Sequence, residues 1–263
     1  MLEAVAFDLD DTLLRDDRTI SPLTINTLRR AADQGIRILP ASGRSAASMA
    51  GYVDQIGCAS AYVACNGAEI MGADHITLHQ SFLPVALSHR VARFAENHQV
   101  YAQCYAGDHF FYSRQGKEAE AYALSSSLKG TYVGDLTAFI NSPTPKMLLQ
   151  ADPEVIRGLR EEAEALFGQE AQVTISKPYF LEINPQGTSK GTALAWLADH
   201  LGFSLEGTMA FGDSYNDLSM LTMAGCGVAM GNAAPEIQSQ VKHVCLSNQE
   251  DGVARYLADH LSP

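Results

Sequence analysis

Ala4-Val5-Ala6-Phe7-Asp8-Leu9-Asp10-Asp11-Thr12 is the stretch on which the reading of the whole chain turns. Its apolar run, too short for a helix, reads as a strand buried on both faces, as in a parallel sheet. The acids that follow stand at the carboxyl end of that strand, which is where open parallel sheets bind ligands. Three carboxylates within four residues repel one another unless a cation or protons intervene. Hard oxygen donors of this kind suit Mg²⁺, and a solvated acidic turn is the alternative.

Working outward, Ser21-Pro22 opens a helix with N-cap and N1 signals, and Ile25, Leu28 and Ala32 supply its apolar stripe. Gly35 ends it before a strand over Ile36–Ala41; Ser45 caps a helix to about Ile56, and Ala61–Cys65 is a third strand. This alternation predicts right-handed crossovers and an α/β fold with a Rossmann-like parallel sheet. The rhythm returns after Ser189: a helix, a strand at Thr208–Phe211, a helix over Ser214–Met223 and a strand at Cys226–Met230. A helix near Ala233–Val241, a short strand at His243–Leu246 and a last helix from Asp251 complete that block. Between the blocks come a helix (Pro84–Asn97), a hairpin of Val100–Tyr105 and His109–Tyr112, and a polar stretch without clear periodicity. A strand (Lys146–Gln150), a helix after Asp152-Pro153 and strands at Gln172–Ser176 and Tyr179–Ile183 follow. The expected division is a core of residues 1–81 and 185–263, split by an α+β insertion over 82–184.

Composition narrows the function. With 18 Lys+Arg against 30 Asp+Glu, the 263-residue chain carries a formal charge of −12, while 46% of it is hydrophobic and 18% charged. Such a chain has no broad basic face for nucleic acid or an anionic membrane. A small anion is compatible with it, because amides and one Lys can reverse the local sign. Neither a signal peptide nor about 18 consecutive apolar residues is visible. Five scattered cysteines without a C-x-x-C pair suit a reducing compartment, so the cytoplasm is expected. The eight histidines show no H-E-x-x-H or other ligand spacing.

Three further segments carry candidate chemistry. Gly212-Asp213-Ser214-Tyr215-Asn216-Asp217 again sits where a strand passes into a helix, and can aim three oxygen-bearing side chains at one point or simply start a helix. Ala41-Ser42-Gly43-Arg44-Ser45 offers a hydroxyl and amides at a helix N-terminus, the makings of a small-anion site or of an ordinary turn. In Gly187-Thr188-Ser189-Lys190-Gly191-Thr192 the Lys opens a helix, against the dipole, and so needs a partner. It precedes its Gly, so the segment is not a nucleotide P-loop.

In this order the four segments resemble the motifs of the haloacid dehalogenase (HAD) superfamily of phosphohydrolases. Asp8-Leu9-Asp10-Asp11-Thr12 is similar to D-x-D-x-T, Ser42 to the hydroxyl of the second motif, Lys190 to the third, and Gly212-Asp213 with Asn216-Asp217 to the fourth. Asp11 stands where Gly is common and Ser42 where Thr is common. Asn66-Gly67-Ala68 and Gly227-Val228-Ala229-Met230-Gly231-Asn232 resemble the Cof-type branch, which inserts an α+β cap between the second and third motifs.

The resemblance implies an Mg²⁺-dependent phosphomonoesterase for a small phosphorylated metabolite, acting through an aspartyl-phosphate. It implies Asp8 as nucleophile and Asp10 as general acid/base, the latter protonated at times through crowding by Asp8 and Asp11. The metal would take the Asp8 carboxylate, the Asp10 carbonyl and Asp213. Ser42, the N–H groups of Leu9 and Gly43, Lys190 and Asn216 would hold phosphoryl oxygens, with Asp217 orienting Lys190 or a metal-bound water. Arg44, Asn66, Lys177, Tyr179 and Glu182 are candidate substrate contacts near the domain junction. A phosphomutase shares this core chemistry, and a non-catalytic metabolite sensor is the alternative from another class. A monomer or small homo-oligomer is expected.

Overall fold

The computed structural model describes residues 1–262. The first block runs β1 (Ala4–Phe7), α1 (Pro22–Asp33), β2 (Arg37–Pro40), α2 (Ala46–Ile56), β3 (Ala61–Ala64), β4 (Glu69–Gly72) and β5 (Thr77–Gln80). The insertion continues with α3 (Val85–Asn97), β6 (Tyr101–Ala106), β7 (His109–Tyr112), α4 (Lys117–Ser126), β8 (Lys129–Tyr132) and α5 (Leu136–Phe139). It ends with β9 (Met147–Gln150), α6 (Pro153–Phe167), β10 (Ala171–Lys177) and β11 (Phe180–Pro185). The last block holds α7 (Lys190–Leu201), β12 (Thr208–Gly212), α8 (Leu218–Met223), β13 (Cys226–Ala229), α9 (Pro235–Gln238), β14 (His243–Val244) and α10 (Gly252–Ala258).

The two outer blocks share one parallel sheet of order β14-β13-β12-β1-β2. β1 is an interior strand and fully buried, as its apolar run requires, and Phe7 lies in register with Phe211 of β12. Each of these rings is removed from solvent entirely, and burial of a side chain that size contributes roughly 1.5–3 kcal/mol. The two hydroxyl caps read from sequence form: Ser21 accepts from Thr24 N and Ser45 from Ser48 N. β3 departs from the expected parallel sheet. It meets the β2 edge through a single parallel bridge, Ala41 to Val63, and otherwise pairs antiparallel with β4, which pairs with β5. The sequence reading passed over β4 and β5, which are four residues each, with β5 mostly exposed.

The insertion forms a six-stranded sheet, β10-β11-β9-β6-β7-β8, antiparallel except for β7–β8. Side chains alternate faces along its strands. Ala102, Cys104, Met147 and Leu149 pack under α3 and α6, while Tyr101, Tyr105 and Leu148 face the other way with Tyr122 of α4. That second face looks onto the carboxyl ends of β1 and β12. No helix among the described residues is long and apolar enough to cross a membrane.

Candidate active site

The chain leaves β1 in a tight turn. Asp11 adopts φ +59°, the left-handed region that Gly takes most easily and Asp tolerates, which fits its standing where Gly is common. Asp8 is 5% exposed, and its N–H is held by the carbonyl of Phe211 on the adjacent strand. Thr12 Oγ1 donates to Asp213 Oδ1 at 2.9 Å, so the ends of β1 and β12 are tied through a side chain as well.

Asp217 folds back beneath Asp213. Its Oδ2 accepts from the backbone N–H groups of Asp213 and Ser214, each at 3.0 Å. The close approach needs Gly212, where a Cβ would lie 2.4 Å from that of Asp217. Lys190 enters from the first turn of α7, whose N-cap Ser189 exchanges a reciprocal pair of bonds with Thr192. The Lys190 ammonium, fully buried, is 2.5 Å from Asp8 Oδ1 and 2.5 Å from Asp217 Oδ1. Those two carboxylates are the partners that a cation at a helix start requires.

Charge does not balance here. Carboxylate oxygens of Asp8, Asp213 and Asp217 lie within 4.8 Å of one another and face a single ammonium. Burial pushes the Asp8 carboxyl up to about 7 despite Lys190, with Asp217 and Asp10 adding to the rise. Burial and the charges of Asp217 and Asp8 also hold the Asp213 carboxyl well above the usual carboxylate range. Burial disfavours the free Lys190 ammonium, but Asp217 and Asp8 raise its pKa, so it stays charged. A hard divalent cation supplies the missing positive charge and finds oxygen donors alone, so the residues present fit such an ion.

The Asp10 side chain lies outside that acidic cluster. Both its oxygens accept from Arg44, at 2.7 Å from Nε and 2.8 Å from Nη2. Burial alone would raise this carboxyl, but the bidentate bond and charge of Arg44 bring it below its ordinary value. The expectation that crowding by Asp8 and Asp11 protonates Asp10 at times is therefore corrected: burial, with Asp217 and Asp10 adding to it, raises Asp8, and the Arg44 pair lowers Asp10. Only the main-chain carbonyl of Asp10 remains for a metal.

The remaining residues singled out from sequence fall into two groups. Ser42 and Gly43, with Asp8, Asp10, Asp213 and Asn216, line the cleft between the sheet ends and the insertion. The Leu9 side chain is buried in the core, leaving its backbone N–H as the only group it offers. Asn216 donates to Asn66 Oδ1 at 3.0 Å, and Asn66 donates to Glu182. Asn66 and Glu182 thus bind the two regions together, and Glu182 Oε1 accepts from Lys146 Nζ at 2.9 Å. Lys146, 1% exposed, also donates to the Gly43 carbonyl at 2.6 Å. Lys177 reaches Asp11 Oδ2 at 3.4 Å, and Tyr179 is half-exposed on the cleft wall.

Sequence reasoning missed four residues that matter here. Thr12, although quoted in the first motif, had no reading as the partner of Asp213. Lys146 has one signal in the sequence, a cation opening the apolar run Met147–Leu149. Tyr122 and Gln150 line the cleft and had no signal at all. The last turn of α4 docks on the core through main-chain carbonyls. Arg18 donates to Leu124 O, Arg44 to Ser125 O and Ser48 to Ser126 O.

A fold of this topology with these four strand-end segments defines a family. The profile of the haloacid dehalogenase-like hydrolases matches residues 5–257. The 5-amino-6-(5-phospho-D-ribitylamino)uracil phosphatase YitU of Bacillus subtilis is 30% identical over 265 residues, covering 98% of this chain and 97% of that protein. The HMP-PP phosphatase of Yersinia pestis is 30% identical over 267 residues, 100% of this chain and 96% of its own. A haloacid dehalogenase-like hydrolase from Bacteroides thetaiotaomicron superposes with a TM-score of 0.87 at 28% identity, covering 99% of this chain and 100% of that one. The chain belongs to the haloacid dehalogenase-like hydrolases, and it is a phosphatase enzyme of that family.

Proposed function

We propose that this enzyme is an Mg²⁺-dependent phosphomonoesterase that hydrolyses a small phosphorylated metabolite through an aspartyl-phosphate on Asp8. The observation that carries the reading is the buried Asp8–Lys190–Asp217 chain, with Asp213 alongside, at the ends of two adjacent parallel strands. Substrate-binding without turnover needs neither a buried nucleophile nor a second carboxylate at Asp10. The named substrates of the relatives, a phosphoribityl compound and HMP-PP, support a small phosphorylated metabolite. In this reading residues 1–81 and 185–263 form the catalytic core, 82–184 form the cap, and the enzyme works in the cytoplasm as a monomer or small homo-oligomer.

An Asp8 carboxylate oxygen attacks phosphorus, and the bond from phosphorus to the leaving oxygen breaks. That oxygen takes a proton from Asp10 and departs as the alcohol. Water then attacks the aspartyl-phosphate, gives a proton to Asp10, and phosphate leaves with Asp8 restored. Asp10 paired with Arg44 stands in the carboxylate form that the second step needs. Donation in the first step requires it to move away from Arg44 and take up a proton from solvent. Ser42, the N–H groups of Leu9 and Gly43, Lys190 and Asn216 hold the phosphoryl oxygens, and Asp217 keeps Lys190 in place. Asp8, the Asp10 carbonyl and Asp213 would hold Mg²⁺, which when bound would offset charge repulsion between nucleophile and phosphate.

The test is phosphate release from a panel of sugar phosphates, nucleotides, flavin mononucleotide and pyridoxal phosphate, with Mg²⁺ and with EDTA. Turnover on part of the panel that EDTA abolishes is expected. Silence across the whole panel defeats the reading.

A further inference from the structure

The cap face above Asp8 and Asp10 carries a polar device that neither the catalytic chemistry nor the domain junction uses. Tyr101, Gln103 and Tyr105 alternate along β6 and therefore share one face of the cap sheet. Their polar atoms form a directed chain. Tyr101 Oη donates to Gln103 Oε1 at 2.7 Å, and Gln103 Nε2 donates to Tyr105 Oη at 2.5 Å. Tyr105, having accepted, donates to Tyr122 Oη at 2.7 Å. An amide nitrogen only donates, so the order of the chain is set at Gln103. It leaves the Tyr122 hydroxyl hydrogen as the free end. Tyr122 stands on α4, is 8% exposed, and lines the cleft.

Across from it on β9, Gln150 also lines the cleft. Its Oε1 is buried and has no hydrogen-bond partner. In the sheet register Gln150 sits between Tyr101 of β6 and Phe180 of β11, and the Phe180 ring lies 6.1 Å from that of Tyr122. A buried acceptor without a donor is costly, and such exceptions call for an explanation. The cleft therefore presents one donor without an acceptor and one acceptor without a donor, in the same neighbourhood.

We propose that Tyr122 and Gln150 are specificity-determining residues that read the leaving group of the phosphomonoester. Tyr122 donates to an oxygen of that group and Gln150 accepts from one of its O–H groups. The class of substrate this selects is a phosphorylated sugar or polyol, whose hydroxyls supply both functions. The Tyr101–Gln103–Tyr105 chain acts behind Tyr122 and fixes the direction of its hydroxyl. A site built to hydrogen-bond a substrate discriminates strongly against one lacking the group, because its own polar atoms are then left unpaired.

The assignment rests on the phosphatase reading, and its test separates the two. Phosphate release with Mg²⁺ is measured for wild type, Tyr122→Phe and Gln150→Met on D-ribose 5-phosphate and on phenyl phosphate, whose leaving ring has no such hydroxyls. The ratio of kcat/KM, ribose 5-phosphate over phenyl phosphate, is expected to fall about tenfold in each variant. A ratio that holds within twofold in either folded variant overturns the pair. So does a wild type that cleaves phenyl phosphate and not ribose 5-phosphate. A wild type that cleaves other members of the panel but no sugar phosphate overturns the assignment, and silence across the whole panel removes the phosphomonoesterase reading itself. Circular dichroism checks each variant; should Tyr122→Phe unfold, Gln150→Met on its separate strand decides.

Discussion

Two lysines are buried completely in this molecule, and they are held in opposite ways. Lys146 in the cap meets one carboxylate, Glu182, and one carbonyl, that of Gly43, so its charge is matched one for one. Lys190 in the core meets Asp8 and Asp217 with Asp213 close by, so three carboxylates share one ammonium. Burial disfavours the free cation at both sites, and at both the carboxylate partners raise the pKa, chiefly Glu182 for Lys146 and Asp217 for Lys190. The difference lies in what is left over. The cap pair is electrically complete and joins two regions. The core group has carboxylates in excess and could take a further cation, which is why the proposed chemistry is placed there.

The largest effect expected from this contrast is at Asp8. Asp8→Asn should lower phosphate release by about 10³-fold or more while circular dichroism stays that of wild type. A variant that keeps a tenth of wild-type activity would falsify the nucleophile assignment. Next come the lysines themselves. Lys190→Met and Lys146→Met each strip the cation from a buried carboxylate, and denaturant unfolding should show a loss of about 3–5 kcal/mol in each. The two sites should part company in the double variant. Lys146→Met with Glu182→Leu should recover to within about 1 kcal/mol of wild type, because a balanced buried pair is replaceable by apolar groups. Neutralising Asp217 beside Lys190→Met should not restore phosphate release, because Lys190 itself holds a phosphoryl oxygen in the proposed reaction.

A smaller effect sharpens the point about excess charge. Asp213→Asn should stabilise the metal-free protein by about 1 kcal/mol while abolishing the activity that Mg²⁺ supports. Equal unfolding midpoints in EDTA, or an unchanged Mg²⁺ titration, would count against an overcharged site. At the bottom of the scale is Arg157, paired with Glu154 at 3.8 Å on the open surface of α6. Arg157→Ala should shift stability by less than about 0.5 kcal/mol.

The core was readable because its signals are local. β1 and β12 are buried on both faces and so appear as unbroken apolar runs, and Ser21 and Ser45 announce their helices one residue ahead. The acids and Lys190 likewise declare themselves by their positions at strand ends and helix starts. Much of the cap lacks such marks. α4 has a weak apolar stripe, β8 is exposed along its whole length, and α5 is a single turn. Pairings between distant residues were the least visible. Nothing in the neighbours of Arg44 in sequence says that it grips Asp10, or that Lys146 will meet Glu182. Each contact exists only once its own sheet has set distant strands side by side.

The docking of α4 has a consequence of its own. Its last turn is held by Arg18, Arg44 and Ser48, and all three bonds go to peptide carbonyls rather than to side chains. Every residue type carries the same carbonyl, so the exposed side chains of α4 are free to change without altering how its last turn seats on the core. The seating of α4 on the core is written in the main chain, and the proposed choice of the cleft's contents, through Tyr122, in the side chains. Selection can therefore retune the second by single substitutions while the first is inherited intact.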